Sequence, residues 1–165
     1  MAELTRVPAD EFRRVLGHLP TGVCVVAAFD GETPVGMAVN SMTSVSLDPP
    51  LVLVCPARTS TTWPAIRAAG EFCLSVMAGH HKELCRTFAV RGADRFEGVG
   101  WHARIGGPAL DQAVAWLDCS IDAEYEAGDH TIVVAEVMGA KASESAAEPL
   151  VFFRGRYGSF VEPSA

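Results

Sequence analysis

The sequence predicts a mainly β fold, an antiparallel Greek-key-like barrel with flanking helices. Two observations favour it: short apolar segments follow one another at hairpin spacing, and helical periodicity occurs only at the margins of that series. A dinucleotide-binding Rossmann sheet would need alternating strands and helices and a GxGxxG motif, and the sequence has neither. The length of 165 residues suits one domain with a substantial core, so we expect a single domain over 1–165.

Three segments have helical character. The first begins near Asp10, a candidate N-cap, and repeats apolar residues every three or four positions. The second covers 61–70, where Pro64 is tolerated only in the first turn and Gly70 ends the helix. The third covers 80–90 and has an apolar face.

The remaining apolar segments are typical of β-strands. In 115–127 apolar and polar residues alternate, which places Cys119 on the apolar face as a buried small residue and Asp118 on the opposite face. The predicted strands are 22–29, 34–40, 50–55, 72–78, 115–127, 130–140, 149–153 and 156–160.

Composition restricts the class of partner and the compartment. The net charge of −7 disfavours a general nucleic-acid or anionic-membrane binder, because both need a basic face. The sequence has neither a run of about 18 apolar residues nor a signal-peptide layout at its start. Its five cysteines are an odd number without CxxC spacing. We therefore expect a cytoplasmic protein.

Several kinds of catalytic site lack their motifs. The histidines form no HxH or HxxxH pattern, so we expect no metal site. There is no GxSxG for a serine hydrolase and no GxxxxGK[ST] for a P-loop. A bound cofactor is therefore the natural carrier of any chemistry.

Three features go beyond a plain scaffold. The segment 37–63 carries eight hydroxyl side chains around an apolar strand, and such groups are good phosphate ligands. His130 follows a turn in GDH, and Tyr157 lies in RGRYG near the C-terminus. Each is also compatible with a purely structural role, as a surface or turn residue. Thr62 is equally well a helix N-cap. The hydroxyls predicted to share an anion are Ser41, Thr43, Ser44, Ser46, Ser60, Thr61 and Thr62.

The order of five motifs resembles the flavin reductase-like family, the small NAD(P)H-dependent flavin reductases that serve two-component monooxygenases. The resemblance covers about residues 10 to 160 and implies a split β-barrel of the FMN-binding type, a homodimer, and a flavin groove near the subunit boundary. The motifs are FRRVLGHLPTGVCVVAA, NSMTSVSLDPPLVLVCPARTSTTW, GGPALDQAVAWLDCSI, GDHTIVVAEV and LVFFRGRYG.

The resemblance also implies the site residues. For nicotinamide it implies Pro20, Thr21, His130 and Tyr157, with His130 orienting NADH rather than acting as an acid or base. The segment 89–96 would close over the flavin. The flavin residues implied are Met37, Ala38, Val39, Asn40, Ser41, Thr43, Ser44, Cys55, Ser60, Thr61, Arg91 and Phe96.

The function implied is hydride transfer from NADH, rather than NADPH, to FMN or FAD, followed by release of reduced flavin to a separate monooxygenase. Placement of the two rings in a dry site would be the protein's main contribution. Two alternatives stay open. One is a split-barrel flavin oxidase of the pyridoxamine-phosphate oxidase type, and the other is a flavin-binding module without catalysis.

Overall fold

The computed structural model describes residues 6–90, 92, 94–145 and 147–160. The fold is mainly β, as predicted. The helices are α1 (Ala9–Leu16), α2 (Trp63–Ala69) and α3 (Lys82–Ala89), the last preceded by a 3₁₀ turn at Gly79–His81. The strands are β1 (Thr21–Gly22), β2 (Cys24–Asp30), β3 (Thr33–Val39), β4 (Thr43–Leu47), β5 (Pro50–Val54), β6 (Glu71–Val76), β7 (Trp101–Arg104), β8 (Gly107–Leu110), β9 (Ala115–Ala127), β10 (His130–Ala142), β11 (Leu150–Phe153) and β12 (Arg156–Ser159).

The main sheet has seven antiparallel strands in the order β3-β2-β6-β9-β10-β5-β4. Within the described residues, the two edge strands β3 and β4 do not pair with each other. The sheet therefore stays open, as expected of a split barrel. A second sheet joins β1, β11 and β12, and β7 pairs with β8 in a separate hairpin. Strands β1, β4, β7 and β8 were not predicted from the sequence.

Strand β2 explains why the centre of the sheet reads as a continuous apolar run. Successive side chains of a strand point to opposite faces, and here both faces are covered. Cys24 and Val26 pack in one core cluster with α2, whereas Val25 and Ala27 pack in a second cluster with α3. The two helices are therefore held on opposite faces of the sheet.

The helices follow the prediction with one correction. In α2, Pro64 occupies the first turn and Gly70 ends the helix with a left-handed φ of 77°. In α1, Asp10 is not the N-cap, because the helix already begins at Ala9 after Pro8 and has no side-chain cap. The apolar side chains of α1 remain exposed. Leu19, which follows the helix, is also exposed, with 63% of its surface accessible. None of the helices in the described ranges has the length and apolarity to cross a bilayer.

The β7–β8 hairpin buries a charge that the alternation pattern placed on a polar face. Asp118 in β9 is 2% exposed, and its carboxylate accepts from Arg104 Nη2 at 2.6 Å and from Arg104 Nε at 3.1 and 3.2 Å. It also accepts from the Gly106 N–H at 3.2 Å. A Cβ at Gly106 would lie 2.4 Å from the Phe72 carbonyl oxygen, so only glycine allows this approach. The hairpin is thus fixed to the main sheet by an ion pair and a backbone contact.

Candidate functional site

A branched cleft opens where β3, the start of α2 and the end of α3 meet. Its middle, the central cavity, has a volume of about 230 Å³. It shares Thr61, Thr62 and Arg95 with a cavity of about 330 Å³, here the Arg95 cavity. It shares Ala38 and Ala89 with one of about 190 Å³, here the Tyr157 cavity. The predicted residues Met37, Ala38, Ser60 and Thr61 all line the central cavity.

The hydroxyls at the start of α2 have divided roles. Ser60 Oγ accepts from the N–H groups of Thr62 at 3.3 Å and Trp63 at 3.1 Å, and its own hydroxyl donates to Met37 Sδ at 3.6 Å. Ser60 therefore caps the helix. Thr62, the predicted alternative cap, makes no capping bond; its Oγ1 accepts from Arg95 Nη1 at 2.6 Å. Thr62 thus occupies the predicted N-cap position, but the side chain that accepts from the backbone N–H groups there is that of Ser60.

The polar residues after β3 tie strands together. The Cys55 N–H donates to Ser41 Oγ at 2.8 Å, which joins the start of β4 to the end of β5. Asn40 Nδ2 donates to Thr21 Oγ1 at 3.3 Å. Thr43 and Ser44 lie in the edge strand β4, are exposed, and do not line the three cavities. The structure therefore separates Thr43 and Ser44 from the hydroxyls at α2.

Arg95 was missed by the sequence analysis, although it directly precedes the predicted Phe96. Its Nη1 donates to the Gly36 carbonyl at 2.6 Å and to Thr62 Oγ1 at 2.6 Å, while Nε and Nη2 donate to the Val90 carbonyl at 2.9 and 2.7 Å. One side chain thus connects the end of α3 to β3 and α2. Desolvation by burial lowers the pKa of Arg95. The sequence did contain a signal for Arg95, because it is a cation within the segment 89–96 that was expected to close over the flavin.

Phe96 completes that side of the cleft. Its ring packs edge-on against Phe88 with a centroid distance of 5.1 Å and lines the Arg95 cavity. A Cβ at Gly36 would lie 3.0 Å from Phe88 Cε1, so the glycine gives this aromatic pair room beside β3. The predicted Arg91 lies outside the described residues.

Tyr157 and its neighbours form the opposite branch. The Tyr157 ring packs edge-on against Phe152 at 5.4 Å, and Phe152 pairs with Thr21 across β11 and β1. Val39 and Asn40 line the same cavity. Pro20 directly precedes β1. The structure thus brings Thr21, Asn40 and Tyr157 together.

His130 approaches the cleft from a different side. It begins β10 and forms a β-bridge with Ala57, a wall residue of the central cavity. Its side chain is 45% exposed, and Nδ1 lies 2.8 Å from Asp129 Oδ1. The hydrogen bond from His130 lowers the pKa of Asp129. Because an ionised carboxylate only accepts, Nδ1 carries the proton and Nε2 is left for a ligand.

The cysteines do not supply a nucleophile to this cleft. Burial is the first cause that raises the pKa of each thiol, and the four most buried reach about 12. Burial also raises the pKa of Cys55. A protonated thiol is a poor nucleophile. Hydroxyls, backbone groups and one cation therefore supply the polar groups of the cleft, and such groups suit an elongated, phosphate-bearing ligand.

Comparison with known proteins assigns the chain to a family. Residues 16–160 match the flavin reductase like domain, and the chain belongs to that family. It is 45% identical over 164 residues to a flavin reductase of Pseudomonas putida, covering 97% of this chain and 96% of that protein. It is 40% identical over 154 residues to the reductase subunit of a flavin-dependent monooxygenase from Rhodococcus jostii. That match covers 92% of this chain and 77% of the relative.

A solved structure agrees with this assignment. The chain matches an NADH:FAD oxidoreductase of Streptomyces globisporus, solved with NAD and FAD fragments, with a TM-score of 0.88 and 40% identity. The match covers 99% of this chain and 100% of that one. The comparisons confirm the predicted family, the mainly β fold and the NAD(P)H:flavin oxidoreductase class.

Proposed function

We propose that this protein uses NADH to reduce FMN or FAD in the central cavity and releases reduced flavin to a separate monooxygenase. The observation that carries the proposal is Ala38, which lines both the central cavity and the Tyr157 cavity, so that ligands in these two cavities would meet there. Bound together, NADH and flavin supply the redox chemistry, a hydride passing from nicotinamide C4 to flavin N5.

The chain's own groups suit a flavin in the central cavity. Met37 and Ala38 provide the β3 wall for a flat ring, and Thr61 and Thr62 lie at the junction with the Arg95 cavity, where a phosphate would be held. Ser60 and Ser41 contribute indirectly, because their hydroxyls fix α2 and β5. Phe88 lines the cavity on the side of α3 and gives it an apolar wall.

For the nicotinamide, the chain offers Tyr157 in the Tyr157 cavity and His130 from the Ala57 side of the central cavity. Asp129 holds the His130 ring by its Nδ1 proton, so Nε2 can accept a hydrogen bond from the carboxamide of nicotinamide. In this role His130 orients NADH and transfers no proton.

The proposal includes the assembly and the setting. A homodimer is supported by apolar side chains that are exposed on α1 and β4, among them Leu16 and Leu47, the latter 91% exposed. A cytoplasmic location is supported by five free cysteines, which suit a reducing compartment. The family match over residues 16–160 supports one domain for the chain.

Steady-state oxidation of NADH tests the function. With FMN or FAD added, we expect turnover to depend on both the nucleotide and the flavin, and reduced flavin to appear in solution. Oxidation should be faster with NADH than with NADPH. If neither nucleotide supported turnover, the reductase function would be rejected. The result would favour a flavin oxidase that acts on another substrate, or a flavin-binding module without catalysis.

Replacing His130 by alanine should raise the KM for NADH about tenfold, because one oriented hydrogen bond to the nicotinamide is lost. The dissociation constant for flavin should stay within twofold. His102→Ala is a matched control, since the His102 side chain on β7 is 50% exposed, close to the 45% of His130, and its Nδ1 also lies near a carboxylate oxygen, 2.9 Å from Asp111 Oδ1. Equal losses of NADH and flavin affinity in His130→Ala would contradict the proposed role.

A further inference from the structure

Arg95 carries a charge that no carboxylate neutralises within the described residues. Its hydrogen-bond partners are two carbonyls and a hydroxyl, all of them neutral. The neighbouring Asp94 accepts from the Phe96 N–H at 3.1 Å instead. A partly buried, rigidly held cation without a counter-charge is a preorganised site for an anion.

The bond from Arg95 also determines how Thr62 can act. Thr62 Oγ1 accepts from Nη1 at 2.6 Å, so the hydroxyl proton points elsewhere and is free to donate. Arg95 itself uses four N–H groups on protein acceptors, which leaves one N–H of Nη2. Both donors lie at the boundary between the central cavity and the Arg95 cavity.

The Arg95 cavity offers space beyond that boundary. Its volume of about 330 Å³ is within the range of about 300–1,000 Å³ usual for small-molecule sites. Pro34, Val35 and Phe96 give it an apolar wall, and Asp94 gives it a carboxylate. These surfaces fit the adenine ring and the ribose hydroxyls, respectively.

A second groove also adjoins the central cavity, through Ala57 and Ser60, but its charges are already paired. Arg67 Nε lies 2.6 Å from Glu124 Oε2, and Arg58 Nη1 lies 3.7 Å from Glu126 Oε2. Both arginines of this groove therefore already have a carboxylate partner, whereas Arg95 has none among the described residues. Its charge pattern therefore favours the Arg95 cavity for the phosphorylated end of the flavin.

We infer that the Arg95 cavity binds the adenylate half of FAD, with Arg95 and Thr62 on the diphosphate, and that the protein binds FAD more tightly than FMN. The inference rests on the proposed function. It assigns Arg95 as a specificity residue that acts on the phosphates and not on the reacting ring.

Flavin fluorescence titrations with riboflavin, FMN and FAD test this inference, since the three ligands differ only in the phosphate and adenylate groups. The native protein should bind FAD at least tenfold more tightly than FMN. Arg95→Gln should weaken FAD about 100-fold and FMN about tenfold, with riboflavin within twofold. Thr33→Trp, which fills the cavity, should abolish the FAD preference and leave FMN unchanged.

Arg58→Gln is the matched control, with the same loss of charge in the competing groove, and should change no affinity more than twofold. The inference is overturned if Arg95→Gln weakens riboflavin as much as FAD, which would mean a structural role alone. It is equally overturned if Arg58→Gln removes the FAD preference, or if the native protein does not distinguish FAD from FMN. Failure of all three flavins to bind would instead reject the proposed function.

Discussion

Replacing Asp118 by alanine should lower the free energy of unfolding by about 3–5 kcal/mol, or the Tm by about 10 °C. The substitution leaves the guanidinium of Arg104, whose side chain is only 19% exposed, without its carboxylate partner. It also removes the acceptor of the Gly106 N–H. A buried charge and a buried donor that lose their partner both destabilise the fold. Urea unfolding followed by circular dichroism measures the change.

Two variants show that the loss comes from the uncompensated charge. Asp122→Ala removes an exposed carboxylate from the same strand and should change stability by less than about 0.5 kcal/mol. Combining Asp118→Leu with Arg104→Met replaces the pair by apolar groups and should recover part of the stability. If Asp118→Ala were no more destabilising than Asp122→Ala, the buried pair would not hold the β7–β8 hairpin.

The parts of the fold that the sequence predicted well depend on local physics. The apolar run of β2 and the Pro64 and Gly70 limits of α2 follow from side-chain alternation, proline sterics and a left-handed φ. These constraints act within a few residues of the chain. They therefore predict elements reliably, and the family motifs then supplied their arrangement.

The parts that sequence analysis missed depend on contacts between distant segments. Arg95 meets Thr62 and Gly36 across 33 and 59 positions, and this contact frees Thr62 from the capping role that its position suggested. The alternation of apolar and polar residues in β9 predicts that Asp118 lies on an exposed face. In the structure it is buried under the β7–β8 hairpin, a contact that depends on the tertiary fold. No local rule distinguishes these residues from ordinary surface polar groups.

The arrangement of residues around the cleft also depends on contacts between distant segments. The motif resemblance grouped His130 with Thr21 and Tyr157, whereas the structure places His130 beside Ala57 and the other two at the opposite branch. The central cavity and the Tyr157 cavity meet at Ala38, which is therefore the position at which a change of side-chain size should matter most.

Replacing Ala38 by phenylalanine should lower kcat/KM for NADH oxidation at least 100-fold, because the added ring separates groups that must be in near contact for hydride transfer. Stopped-flow measurement of flavin reduction under anaerobic conditions isolates this step. Ala38→Ser, which adds one atom, should keep most of the activity. Ala103→Phe in β7 adds the same ring on an exposed strand and should leave the rate unchanged. A folded Ala38→Phe protein with native activity would show that the two ligands do not meet at Ala38.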